Sequence, residues 1–251
     1  MKVASSLMVE IPTLHYDDYV TKARSVLRDD VFRELFVVDE TKRLMGYLDI
    51  SDVLLVIDTK SNVTIKGFIR EAARVAPDTP LTEVALAIME ARTNSAAVVN
   101  EDGRLLGGVL FSELFPVLIS RYNIPGRVKD VMSREPVTCE FREPIHRIYS
   151  LITSSGFIAF PVLQKKEVIG VVSRRDLLRA GNIRMSVKNQ ADTTVERVMT
   201  TPVISVAPDD TIATASRLMV DHDVSILPVI DEKKRFVGVI DRHDVLSSLP
   251  R

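Results

Sequence analysis

The stretch GVVSRRDLL, residues 170–178, sets a glycine and two valines ahead of a serine, with an aspartate three residues beyond that serine. A strand-like run that ends in Ser-x-x-Asp and passes into leucines reads as a helix start, where the serine caps and the acid folds back. The same residues suit a ligand. A helix N-terminus offers N–H groups to an anion, and an ionised aspartate accepts hydroxyl hydrogen bonds. The chain nearly repeats the stretch three more times, as GYLDISDVL (46–54), GGVLFSELF (107–115) and GVIDRHDVL (238–246).

Glycines 46, 107, 170 and 238 are spaced by 61, 63 and 68 residues. Each closes a pair of apolar runs around a charged turn: LFVVDETKRLMGYL, AAVVNEDGRLLGGVL, AFPVLQKKEVIGVV and ILPVIDEKKRFVGVI. That pattern predicts a hairpin followed by a helix. An amphipathic helix is predicted upstream of each hairpin. In the second copy Thr79 caps, Pro80 takes the first helical position, and Leu81, Val84, Ala85 and Ile88 share a face. In the third, Pro144 precedes Ile145, Ile148, Leu151 and Ile152. In the fourth, Asp209 or Asp210 caps a helix carrying Ile212, Ala215, Leu218 and Met219. Short strands are expected before these helices at 136–139 and 202–206.

The expected fold class is therefore α/β (α+β), built from four strand–helix–strand–strand–helix repeats of about 60 residues. A small sheet with helices on one side leaves an apolar face that needs a partner, so four repeats imply two pairs. The repeats are placed at 1–60, 61–122, 123–185 and 186–251, and the modules at 1–122 and 123–251. The helix running from Glu113 is broken by Pro125 and Gly126 near the module boundary.

With 251 residues, 46% hydrophobic and 27% charged, the composition is that of a globular protein. The longest apolar run, Val84 to Met89, is far short of a membrane span, and the N-terminus lacks the apolar core of a signal peptide. One cysteine, Cys139, excludes an internal disulfide and fits a reducing cytoplasm. A net charge of −1 argues against a dedicated nucleic-acid binder. Between Arg121 and Lys188, however, 13 Lys/Arg stand against 6 Asp/Glu. That excess suits either a solvated basic face or a phosphate pocket.

The repeat resembles the CBS domain, named after cystathionine β-synthase, over nearly the whole chain. The resemblance rests on VKDVMSREPVT and VERVMTTPVISV as leading segments, AFPVL and ILPVI as second strands, and the closing Gly-x-x-Ser-x-x-Asp. Four copies in one chain are similar in layout to the gamma subunit of AMP-activated protein kinase. The resemblance implies two paired (Bateman) modules and a regulatory sensor without catalytic activity or catalytic cofactor. The implied ligand is an adenosine compound held between paired repeats: AMP, ADP, ATP or S-adenosylmethionine. It also implies a regulated enzyme or transporter as partner. The chain is expected to be either a monomer forming an internal four-repeat disc or a homodimer.

Carried over residue by residue, the resemblance places Asp176 on the ribose, with Ser173, Arg174 and Arg175 near the phosphate. Thr200, Val203, Ile204, His222, Ser225 and Pro228 of the partner repeat face them across the cleft. The mirror cleft sets Asp244 against Ser133, Val137, Thr138 and Ile158. There the serine position holds Asp241, a carboxylate unfavourable to phosphate. In the first module the equivalent pairs are Asp49 with Asp52 and Leu110 with Glu113. Asp52 is the better candidate of these, because leucine cannot donate to phosphate.

Other chemistries find less support. His15, His146, His222 and His243 form no zinc-ligand spacing. Cys139 lies on an apolar strand without an obvious base and reads as a structural thiol. Neither G-x-x-x-x-G-K nor G-x-G-x-x-G occurs, and nothing pairs a nucleophile with a base. An interaction scaffold with vestigial sites and a nucleic-acid binder using the basic third repeat remain as alternative classes.

Overall fold

The computed structural model describes residues 2–28, 32–56, 61–122, 124–134, 137–155, 157–180 and 193–248. The chain divides into two compact units, Met1–Leu118 and Ile119–Arg251, each holding two of the repeats.

In the first unit β1 (Thr13–His15), α1 (Val20–Arg28), β2 (Glu34–Val38), β3 (Leu44–Asp49) and α2 (Ile50–Leu55) make the first repeat. The second is β4 (Arg74–Val75), α3 (Leu81–Ala91), β5 (Ser95–Val99), β6 (Leu105–Leu110) and α4 (Phe111–Arg121). The second unit opens with the short α5 (Val128–Val131). The third repeat follows as β7 (Cys139–Glu140), α6 (Ile145–Ser155), β8 (Ala159–Gln164), β9 (Glu167–Ser173) and α7 (Arg174–Arg179). The fourth contains α8 (Ile212–Asp221), β10 (Ile226–Ile230), β11 (Phe236–Asp241) and α9 (Arg242–Ser247). Each three-stranded sheet pairs its first two strands parallel and its last two antiparallel. Parallel neighbours need a crossover, which the amphipathic helix supplies.

The helices bury the faces that their spacing predicted. Leu81, Val84, Ala85 and Ile88 are buried on α3, as are Ile145, Ile148 and Ile152 on α6 and Ile212, Ala215 and Met219 on α8. The hairpin turns follow from side chains that mimic backbone acceptors. Asp39 Oδ1 accepts from the N–H of Thr41 and Arg43, and Asp231 Oδ1 from those of Lys233 and Arg235. Asn100 Oδ1 accepts from the Arg104 N–H in the same way. The third hairpin is tighter: Lys165 and Lys166, at φ 51° and 70°, link paired Gln164 and Glu167. Two successive positive φ values are those of a type I′ turn.

Three local expectations need correction. The cap of α8 is Thr211, whose hydroxyl accepts from the Thr214 N–H at 3.0 Å. Asp209 instead pairs with Lys129 at 2.6 Å, and Asp210 accepts from the Ala207 N–H. Thr79 likewise serves the turn before α3, accepting from the Ala76 N–H, and leaves Pro80 at the cap. The strand expected at 202–206 shrinks to a bridge between Val206 and Val229; of the strand expected at 136–139, residue 136 lies outside the described residues and Cys139 opens β7. Proline has no N–H to give a ladder, so Pro202 cannot extend one.

What positions the functional residues is an exchange between the paired repeats. The leading segment of each repeat docks on the last strand of its partner. In the second unit Thr200 exchanges two backbone hydrogen bonds with Val171 (2.8 and 3.1 Å), and Ser133 does the same with Val239 (2.9 and 3.0 Å). In the first unit Arg70 pairs with Tyr47 and Val9 with Gly108. This explains the glycines that mark the repeat. A methyl group on Gly238 would lie 2.5 Å from the Ser133 carbonyl oxygen, and one on Gly46 would collide with that of Arg70.

Candidate functional site

The docking of Thr200 beside Val171 brings the opening stretch against the partner repeat. Ser173 ends β9 in an extended conformation and caps α7. Its backbone N–H donates to Asp176 Oδ2 at 2.7 Å and its hydroxyl donates to the same oxygen at 2.6 Å. The Asp176 N–H lies 3.3 Å from Ser173 Oγ. Asp176 Oδ2 thus belongs to its own helix. Oδ1 faces across the repeat boundary, where Thr200 Oγ1 approaches it at 3.3 Å. The cap and the cleft use different oxygens of one carboxylate, so the two roles do not compete.

The other residues expected at this cleft are distributed as follows. Val203 and Ile204 are half-buried on the segment between Thr200 and Val206. Pro228 is buried in β10, opposite Val239, and Ser225 is half-buried just ahead of that strand. His222 caps the C-terminus of α8 and is exposed. Arg174 turns away from the cap: it is 9% exposed and its Nε donates to the Phe157 carbonyl at 2.9 Å. Arg175 is half-buried on the next position of α7.

The mirror cleft carries a second carboxylate where the first has a serine. Asp241 caps α9, accepting from the Asp244 N–H at 2.8 Å, and Asp244 accepts from the Asp241 N–H at 2.9 Å. Burial pushes the Asp244 carboxyl up to about 7, and the charge of Asp241 adds to the shift. Of the residues expected opposite it, Ser133 is exposed on the segment docked at Val239, and Val137, Thr138 and Ile158 are half-buried.

In the first unit, Asp52 is 4% exposed and its Oδ1 is held by Arg70 Nη2 at 2.5 Å. Oδ2 accepts from the Asp49 N–H at 3.1 Å. Burial raises the Asp52 carboxyl against the lowering effect of Arg70. Around it lies a buried acidic network absent from the sequence reading. Glu34 accepts from the Asn94 N–H (2.7 Å), the Asn94 side-chain amide (3.1 Å) and the Ser95 hydroxyl (2.8 Å) of the partner repeat. Burial, with Asp49 nearby, pushes Glu34 up to about 7. Glu34 and Arg70 could have been noticed from repeat alignment. Glu34 sits at the start of the second strand, where the third and fourth repeats carry apolar Ala159 and Ile226. Arg70 occupies the docked position that holds Thr200 in the fourth repeat.

Cys139 is buried, its thiol pushed up to about 12 chiefly by desolvation, and it lies 3.7 Å from the Pro161 carbonyl. Among the described residues, no group of three or more His, Cys, Asp or Glu side chains could hold a metal ion. No described helix is long and apolar enough to cross a membrane.

Comparison with known proteins bears on the fold and the family. The protein MJ1404 of Methanocaldococcus jannaschii is 22% identical over an alignment of 249 positions that covers 94% of this chain; the chain spans 59% of that protein's length. MJ1225 of the same organism is 20% identical over 277 residues, covering 98% of this chain and 97% of the relative. The crystal structure of MJ1225, described as a proposed archaeal homologue of g-AMPK, superposes with a TM-score of 0.85 at 18% identity. It covers 98% of this chain and 99% of that one. A shorter match, 29% identical over 47% of this chain, is to 23% of the homoserine O-acetyltransferase of Methanococcoides burtonii. The CBS-domain family model matches four times, at 4–59, 65–118, 128–182 and 195–251. Those four matches coincide with the four hairpin-and-helix repeats, and the chain belongs to the CBS-domain family.

Proposed function

We propose that the chain is a non-catalytic regulatory protein that binds an adenosine-containing ligand between paired repeats, principally in the second module (123–251). The observation that carries this reading is the divided carboxylate of Asp176. One oxygen completes the helix cap, and the other is presented to the partner repeat beside Thr200 Oγ1. An acceptor in that position suits a ribose diol, because an ionised carboxylate oxygen takes hydroxyl donors in charge-assisted hydrogen bonds.

We assign the ribose to Asp176 and Thr200, and the phosphate to the start of α7 at Ser173, with Arg174 and Arg175 on its first turn. Val203, Ile204, Ser225 and Pro228 line the adenine side, with His222 at the rim. The mirror cleft, with Asp244 facing Ser133, Val137, Thr138 and Ile158, takes an adenosyl compound only where Asp241 meets no phosphate. The ligand class is AMP, ADP, ATP or S-adenosylmethionine. Ligand occupancy then biases how the two repeats pack, which is the signal passed to a regulated enzyme or transporter in the cytoplasm.

A melting assay with adenosine, AMP, ATP and S-adenosylmethionine tests the reading, because a ligand that binds only the native state raises the midpoint. At least one of the four should raise it in a dose-dependent way. No shift with any of them at millimolar concentration, together with no calorimetric heat, would sink the proposal.

A further inference from the structure

We propose that Arg70 and Tyr47 are built-in occupants of the Asp52 cleft, keeping that cleft of the first module closed to adenosine. The inference rests on the reading of Asp176 as a ribose acceptor, and three observations support it.

The first is positional. Arg70 exchanges two backbone hydrogen bonds with Tyr47, both 2.9 Å, just as Thr200 does with Val171. From this place Thr200 brings a hydroxyl to within 3.3 Å of Asp176 Oδ1, whereas Arg70 brings a guanidinium to 2.5 Å from Asp52 Oδ1. With Oδ2 taken by the Asp49 N–H, both oxygens of Asp52 are satisfied within the chain. A ribose would have to displace the half-exposed Arg70 guanidinium from the buried Asp52 carboxylate, which would leave that carboxylate's charge uncompensated.

The second observation concerns volume. The register of the hairpins puts Phe36 and Tyr47 opposite one another, as it does Pro161 and Val171 or Pro228 and Val239. The second module therefore has prolines and valines where the first repeat has two aromatic rings. Tyr47 is 6% exposed and packs in a buried cluster with Phe36, Leu44, Ala72, Ala97 and Leu110. Its hydroxyl is pushed up to about 12, chiefly by that burial and then by the charge of Glu34.

Third, the docked segments differ in length. Ser133 to Cys139 and Thr200 to Val206 each run one residue longer than Val9 to Leu14 and Arg70 to Val75, counted from the docking position to the residue whose strand partner lies opposite the repeat glycine. The first module has one residue fewer in this segment of each repeat.

The test gives the first module the residues of the second. In the full chain carrying Arg70→Thr and Tyr47→Val, adenosine is titrated by calorimetry. Adenosine is the probe because it carries no phosphate to meet the cap carboxylate of Asp49. The variant should bind one more adenosine per chain than the unmodified protein. A folded variant with an unchanged number of sites overturns the inference. Should the variant not fold, ¹⁵N spectra of the unmodified chain decide. The Arg70 guanidinium signal should stay in place at saturating adenosine, and a displacement as large as that of the Thr200 amide overturns the inference. The two readings fail separately: unmoved Ser173 and Thr200 amides count against the second-module site, whatever the opened variant does.

Discussion

Replacing Asp176 with alanine removes two things at once, and the structure assigns each to a different oxygen. Oδ2 takes the Ser173 N–H and hydroxyl at 2.7 and 2.6 Å, so its loss undoes the cap of α7. Loss of a cap costs about 1 kcal/mol, and at that size of protein a melting midpoint falls by about 2–4 °C per kcal/mol. Oδ1, which among the described residues meets Thr200 Oγ1 at 3.3 Å, is the oxygen available to a ribose. A hydrogen bond to a charged group contributes about 1.5–3 kcal/mol. Asp176→Ala should therefore weaken adenosine binding by roughly ten- to a hundredfold. Ser173→Ala is the matched control, because it loosens the cap while leaving Oδ1 in place. It should lose a similar amount of stability and keep its affinity for adenosine. Titration calorimetry and scanning calorimetry on both variants give the four numbers required. If Asp176→Ala binds adenosine as tightly as the unmodified chain while its midpoint falls, Asp176 is a helix cap and nothing more.

Asp244 is held near 7 in the fold against 3.8 in an unfolded chain, so the native state binds the proton more tightly. Its contribution to stability is present below about pH 4 and is lost as pH rises through 7. Asp244→Asn should flatten the decline of the melting midpoint between about pH 4 and 7, and an unchanged slope would show that Asp244 is not its source. Glu34→Ala should destabilise by about 1–3 kcal/mol in urea, because it orphans the Asn94 N–H and the buried Ser95 hydroxyl. Glu34→Gln, which keeps an acceptor, should cost less; equal losses would refute the hydrogen-bond account. Cys139, buried and with its thiol pushed up to about 12, should resist a thiol reagent at pH 8 in the folded chain and react in urea. Stoichiometric labelling of the native protein within minutes would contradict that assignment.

The repeat was legible in the sequence because it rests on local rules. β-branched runs around a charged turn, and apolar residues at helical spacing, identify hairpins and helices within a dozen residues of themselves. Asp39, Asn100 and Asp231 sit where the turns require them. The four closing glycines mark the repeat period, and Ser173 with Asp176 reads directly as a cap. Caps are harder to place where several polar residues stand together. At residues 209–211 three of them compete, and Thr211 won because Asp209 has Lys129 and Asp210 has the Ala207 N–H.

Tertiary structure alone decided what each acid faces. Thr200 lies 24 residues from Asp176, and Arg70 lies 18 from Asp52. They meet because each leading segment crosses to its partner's last strand. No periodicity within one repeat encodes that crossing. Arg174 shows the same limit, since a charge one residue from a cap can turn either way and here meets the Phe157 carbonyl. Four aligned acids look equivalent in a linear chain. In the fold, Asp176 faces a hydroxyl, Asp244 a second carboxylate, and Asp52 a guanidinium. The strength of a charge's interaction depends on what lies within a few ångströms of it and on how much water remains, and both are set by long-range packing.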